Sequence, residues 1–183
     1  MQLDRNAKSA RFVALVQPYL ADAYTLARWL TRSRDDADEV LQEACIRALR
    51  AIEQQSGANA RAWLLSITRN TAYTWLRNKS RTPYVALDDL SEKDLAIVEE
   101  QGTHGVSSRD PEAEMIARAD AEQLKKSLTE LPIEFREALV LRDIHGLGYQ
   151  EIAEVTGVPV GTVMSRLARA RRRVIETIRR ANS

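Results

Sequence analysis

Glu151–Arg173 reads EIAEVTGVPVGTVMSRLARARRR, and the way these residues divide between two helices decides the fold. Tyr149 to Val155 makes about two turns of helix, with Ile152 and Ala153 turned inward. Gly157 supplies a tight turn, where a positive φ costs glycine nothing. A second helix begins at Val160. Along it Val163, Leu167, Ala170 and Val174 fall on one side and pack against the first helix. Thr162, Ser165, Arg166, Arg169 and Arg173 fall on the opposite, polar side. Such a helix fits the major groove of B-DNA, its N-terminal half facing base edges. Arginine bonds guanine through two N–H groups, and Thr and Ser hydroxyls serve bases or phosphates. Arg171, Arg172 and Arg173 cluster where phosphates would pass. A packed helical hairpin with solvated arginines would share this composition. The turn glycine, the small residues Gly161 and Thr162 at the helix entry, and the two-sided sorting favour DNA.

Outward from this hairpin, charge is segregated. The chain of 183 residues has a net charge of +1. Residues 1–81 carry +5, residues 82–160 carry −10 and residues 161–183 carry +6. Two basic ends flank an acidic middle, as expected for polyanion-facing modules held apart by a self-repelling stretch. With 44% apolar and 29% charged residues, the chain suits one or two small globular domains. No apolar run reaches the roughly eighteen residues of a membrane span, so no membrane insertion is expected. The start, MQLDRNAKSARFVALV, carries Asp4 and lacks the apolar core of a signal peptide. A single cysteine, Cys45, forms no internal disulfide, and a reducing cytoplasm is the expected location.

Glycine and proline are few and strand-like alternation is scarce, so helix is the default. Apolar residues recur at helical spacing from Phe12 through Leu15, Val16, Tyr19, Ala23 and Ala27 to Leu30. A second helix is expected from Asp35 to Glu53, with Ala37, Val40, Leu41, Ala44, Cys45, Ala48, Leu49 and Ile52 as its apolar stripe. Asp35 and Asp36 suit its N-terminus. Gly57 and Asn59 mark a turn, and a third helix runs from about Ala60 to Lys79. Residues 81–111 are acidic, contain Pro83 and Pro111 and show no sustained period; they read as a linker. A fourth helix is expected over 112–129. Pro132 then opens another that ends near His145–Gly146. The fold class is all-α: domains at 1–81 and 112–183, joined by a flexible acidic linker at 82–111, the second carrying the helix-turn-helix.

LPIEFREALVLRDIHGLGYQEIAEVTGVPVGTVMSRLARARRR (Leu131 to Arg173) resembles the C-terminal domain of extracytoplasmic-function sigma factors, the small promoter-specificity subunits of bacterial RNA polymerase. The Leu-Pro start, Gly146, the EIA triplet and GTVMSRLARAR carry the match. DDADEVLQEACIRALRAI (Asp35 to Ile52) and NARAWLLSITRNTAYTWLRNKSR (Asn59 to Arg81) resemble two successive helices of the family's first domain. The resemblance thus covers both domains and leaves out the linker.

It implies a division of labour. Thr162, Met164, Ser165, Arg166, Arg169, Arg172 and Arg173 would meet the −35 element as duplex. Met164 departs from the family's usual Lys or Arg and removes one contact. Gln55, Ser56 and Asn59 lie in a loop where the family forms a pocket for a flipped-out base, which needs room and hydrogen-bond partners. Arg61, Arg69 and Arg77 would hold the phosphates of the −10 element, and Asn70, Thr71 and Thr74 would read its upstream edge; Thr74 stands where Asp is common. Basic residues beside Trp63, Tyr73 and Trp75 suit unpaired bases, although Trp63 and Trp75 suit the core better. Asp38, Glu39, Gln42 and Glu43 form the face that in the family docks on the β′ clamp helices of RNA polymerase core, whose β flap is a further contact. Promoter DNA and an anti-sigma factor are the other implied partners.

Other classes fit less well. His104 and His145 show no metal-ligand spacing, and no phosphate loop or nucleophile elbow occurs, so neither an enzyme nor a bound cofactor is expected. A stand-alone repressor or activator, binding an operator without polymerase, is the remaining alternative.

Overall fold

A computed structural model describes residues 2–56, 58–80 and 121–181. The expected linker at 82–111, the start of the fourth helix and the Gly57 turn lie outside these residues. Helices α1 (Gln2–Val16), α2 (Leu20–Thr31), α3 (Arg34–Ala51) and α4 (Ala60–Lys79) form an N-terminal unit. Residues 121–129 form α5. Then α6 (Ile133–Leu139), a π-helical turn (Val140–Ile144), α7 (Tyr149–Thr156) and α8 (Val160–Ala181) complete a C-terminal unit. No strand occurs among the described residues.

Local chemistry sets the boundaries. The stripe from Phe12 to Leu30 is not one helix: a 3-10 turn at Gln17–Tyr19 separates α1 from α2. Pro18 lies in that turn, lacks an N–H and cannot continue an α-helical ladder. Arg32, at φ 62, ends α2 in a left-handed conformation. Ser33 then caps α3, its hydroxyl accepting from the Asp36 N–H at 3.3 Å. Asn59, also left-handed at φ 52, caps α4 by accepting from the Ala62 N–H. Pro132 is the residue before α6 rather than its first member. At the helix-turn-helix, Gly157 adopts φ +69 at the end of α7. The Gly148 N–H donates to the Glu151 carboxylate at 2.8 Å and fixes the start of α7.

Two apolar clusters hold the chain. Val16, Ala23, Ala48, Ile52 and Leu64 form one inside the N-terminal unit, with Phe12, Tyr19 and Trp63 against it. The larger cluster is continuous across both units: it joins Leu26, Leu30, Val40 and Leu65 to Leu131, Leu139, Leu141, Leu147, Ile152 and Leu167. Each such side chain taken from water contributes about 1.5–3 kcal/mol. The units are therefore pressed together, α2 against α6 and α4 against α7. Arg136 crosses this seam, donating to the carbonyls of Thr129 at 2.9 Å, Leu131 at 3.4 Å and Leu30 at 3.4 Å. Burial, with Arg32 nearby, pushes its guanidinium down to about 10. It stays charged at neutral pH, and the carbonyl dipoles replace the water it has lost.

Candidate nucleic-acid interface

Helix α8 sorts its apolar side as its sequence foretells. Val163, Leu167 and Ala170 are buried and Val174 is half-buried. Met164, Ser165, Arg169, Arg172 and Arg173 are exposed, and Thr162 is half-buried at the entry. The Ser165 hydroxyl donates to the Thr162 carbonyl at 2.9 Å, which leaves its oxygen able to accept from a ligand. Arg173 lies over the Phe135 ring at 5.0 Å, a cation–π approach. Arg171 pairs with Asp143 at 2.8 Å. Arg166 differs from its neighbours: it is half-buried, with Nη1 3.9 Å from Oε2 of Glu137.

On the N-terminal unit, α4 brings together Arg61, Arg69, Asn70, Thr74 and Arg77, with Gln55, Ser56 and Asn59 in the loop before it. Arg77, Asn70, Asn59 and Ser56 are exposed. Thr74 is half-buried and donates to the Asn70 carbonyl at 2.9 Å. Thr71 lies inward: it is 3% exposed and its hydroxyl donates to the Ile67 carbonyl at 2.8 Å. Trp63 and Trp75 are both half-buried against the apolar clusters, as their sequence context suggests. Gln55, Asn59, Trp63 and Ser66 line a small cavity, and Glu154 of α7 closes one side of it.

The C-terminal unit meets this surface with acceptor atoms. Arg69 donates to Glu137 at 2.6 Å and 3.4 Å, a two-point contact. Tyr73 donates to the same carboxylate at 3.3 Å, while Arg69 lies 4.4 Å above the Tyr73 ring. Burial raises the Glu137 carboxyl above its ordinary value; the Arg69 charge pulls the other way without cancelling it. Burial, and then the charge of Glu137, raises the Tyr73 hydroxyl too. Asn59 approaches Glu154 at 3.5 Å. Arg61 pairs with Asp22 at 2.6 Å and donates to the His145 carbonyl at 2.8 Å. The His145 imidazole is fully enclosed, with Nδ1 3.6 Å from Asp22. Its place at the end of the π-helical turn is that of a helix-terminus residue.

Asp22 makes this seam sensitive to acid. Burial alone would raise its carboxyl, but His145 and Arg61 outweigh burial and hold it below the ordinary value. A group lowered in the folded state adds stability that is present above its unfolded pKa and is lost as pH falls through the folded one. Asp22→Asn is expected to lower the melting temperature at neutral pH. The gap from wild type closes as pH drops below the usual carboxylate range. Melting curves across a pH series check this, and a constant gap down to strong acid would take the Asp22 charge out of the account.

The expected polymerase face lies on α3. Asp38, Glu39 and Gln42 are exposed, while Glu43 is half-buried and pairs with Arg47 at 2.7 Å. The same face carries Ile46 and Leu49, 45% and 40% exposed. The apolar stripe of the sequence counted Leu49 as core; it points outward, because the stripe is wider than the surface that covers it. Glu137, Glu154, Asp22, Ile46 and Leu49 are absent from the sequence-based site. Among the described residues, no group of three or more His, Cys, Asp or Glu could hold a metal ion, and no helix is long and apolar enough to cross a membrane.

Comparisons with known proteins follow the same division. The family model described as Sigma-70 region 2 matches residues 15–82. The model described as Sigma-70, region 4 matches residues 121–174. The ECF RNA polymerase sigma-E factor of Haemophilus influenzae is 37% identical over 152 residues, covering 80% of this chain and 77% of its own. The RNA polymerase sigma-H factor of Pseudomonas aeruginosa is 34% identical over 172 residues, covering 93% and 86%. Among solved structures, the sigma factor RpoE of Bartonella quintana, in complex with the anti-sigma factor NepR, has a TM-score of 0.67 at 25% identity, covering 90% of this chain and 94% of that one.

Proposed function

The chain belongs to the extracytoplasmic-function sigma factors of the sigma-70 family, and from that premise we propose how its parts share the work of promoter-specific initiation. The C-terminal unit grips the −35 element as duplex through α8. The N-terminal unit takes the −10 element on α4 and the loop before it, and docks on core polymerase through α3. The acidic stretch at 82–111 runs through the polymerase channel that later carries RNA, a basic groove from which RNA displaces it. The catalytic centre belongs to the polymerase. An anti-sigma factor is the proposed inhibitor, since the Bartonella relative was solved with one. The chain acts in the cytoplasm, where polymerase and promoter are.

One observation carries this reading. Two cationic helix sides on one chain, the exposed Arg169–Arg172–Arg173 side of α8 and the side of α4 that carries the exposed Arg77 and the half-buried, Glu137-paired Arg69, stand on separate helical units. A stand-alone repressor needs only the first, whereas the family match extends through the N-terminal unit as well. Run-off transcription with purified core polymerase tests the proposal: a new start site is expected only when this chain is present. Free chain is expected to bind promoter duplex weakly. Arg169→Ala is expected to cost about 1–3 kcal/mol of promoter discrimination, with the greatest loss on templates whose −35 element is intact. Equal loss on every template would make Arg169 a phosphate contact.

A further inference from the structure

We infer that Arg11 is a positioning residue for −10 recognition: from α1 it fixes the backbone of Gln55, which walls the cavity assigned to an extruded promoter base. This role rests on that assignment of the loop before α4 and adds to it a residue from a helix outside the sequence-based site. Helix α3 ends in a 3-10 turn at Ile52–Gln54, and at Gln55 the chain turns extended, with φ −83 and ψ 122. Carbonyls at such an end have no partner within the helix. Arg11 supplies donors from outside. Its Nε donates to the Ile52 carbonyl at 3.1 Å, and its Nη2 donates to the Gln55 carbonyl. Those two N–H groups lie on one edge of a rigid, planar guanidinium, so a single side chain sets the spacing between the last turn and the loop. The Gln55 N–H returns to the Ile52 carbonyl at 3.3 Å, and the Gln55 side-chain amide donates to the Ala58 carbonyl at 3.5 Å. Gln55 is thus held at its N–H, its carbonyl and its side chain, and it lines the cavity with Asn59, Trp63 and Ser66.

Helix α1 is anchored for this task. One turn before Arg11, Lys8 pairs with Glu53 of the same 3-10 turn at 3.3 Å. Val16 packs with Ile52, and Phe12 and Leu15 lie against that cluster. Two cations therefore stand over one helix C-terminus, where the carbonyl dipoles attract positive charge. Exposed contacts of this kind add little to stability. Their consequence is geometric, because a pocket that reads a base by hydrogen bonds works best with its polar groups already in place. Without Arg11, the incoming base has to order about one residue of backbone as it enters.

The test uses holoenzyme assembled from purified core polymerase and the full chain. It is titrated with labelled single strands that span the −10 element of a promoter mapped by run-off transcription, intact or with each base in turn replaced by an abasic site. The wild type is expected to show one position at which the abasic strand binds selectively worse. Arg11→Ala is expected to shrink that ratio about fivefold, because only the intact strand must order Gln55. Affinity for the abasic strand, affinity for core polymerase and melting temperature should stay nearly constant. Arg11→Lys keeps the charge but not the two-donor edge and should recover little of the ratio. Lys8→Ala removes a charge from the same face of α1 without touching a carbonyl and should leave the ratio intact. A ratio unchanged by Arg11→Ala overturns the positioning role. So does an equal loss on every strand, which would make Arg11 a phosphate contact. Full recovery in Arg11→Lys, or the same loss in Lys8→Ala, assigns the effect to charge and overturns it as well. The pocket assignment fails separately, if Ser66→Leu, which fills the cavity while Arg11 is kept, leaves the ratio as it was; the role of Arg11 then falls with it.

Discussion

Replacing Ile46 and Leu49 together by aspartate is expected to weaken association with core polymerase by about 2–4 kcal/mol, a loss of thirtyfold or more. The two residues lie three apart, one turn of α3, and both face out at 45% and 40% exposure. A lone exposed apolar residue needs no explanation. Two neighbours on one turn, flanked by Asp38, Glu39 and Gln42, form an apolar centre with a polar rim, the usual anatomy of a docking site. A groove alongside runs between α3 and α4, with Trp75 in its wall. Aspartate at these positions would be desolvated without a partner on binding. The free chain keeps its fold, since neither side chain is in the core, and circular dichroism should show unchanged helix. Titration of labelled chain with purified core polymerase reads the affinity. An unaltered dissociation constant would move the docking site off this face of α3.

The helix-turn-helix was legible because its signals are local. A turn glycine, the small residues Gly161 and Thr162 at the entry of α8 and a period of three to four residues along it all act within a few residues of one another. For the same reason α4 appeared with its ends in place. The break at Pro18 was equally local and was written in the proline itself, yet an apolar period that persists through the turn masks it. What sequence did not yield is the seam between the units. Glu137 falls four residues after Ile133 and four before Leu141, on the apolar side of its helix, where a carboxylate signals a buried partner. Nothing nearby says that the partner is Arg69, 68 residues earlier. Glu154, Arg61 and His145 share the difficulty: each contact is a property of how two surfaces fit, which no local pattern encodes. The reading of Arg69 and Arg166 as DNA contacts was drawn from their own helices, and the structure adds the carboxylate that both approach in this arrangement.

Ile152→Ala should separate the stability of the helix-turn-helix from its chemistry. Ile152 has no exposed surface and sits in the same cluster as Val155, Val163, Leu167 and Ala170, so it is the floor on which α8 rests. Truncating such a side chain removes its transfer energy and leaves a cavity, for an expected loss of about 2–5 kcal/mol. In a chain of this size each kcal/mol lowers the melting temperature by about 2–4 °C. Arg169 and its neighbours remain chemically intact, but α8 loses the support that aims them. Near the lowered transition, transcription from templates needing the −35 element should fall steeply and recover on cooling. Arg169→Ala, by contrast, should lower it at every temperature, because a missing guanidinium is not restored by refolding. Met164→Ala, 53% exposed on the same helix, controls for a change in α8 that removes no core contact and should leave melting nearly unchanged. If Ile152→Ala melts with the wild type, the apolar floor beneath α8 is not what holds it, and the placement of its arginines must have another cause.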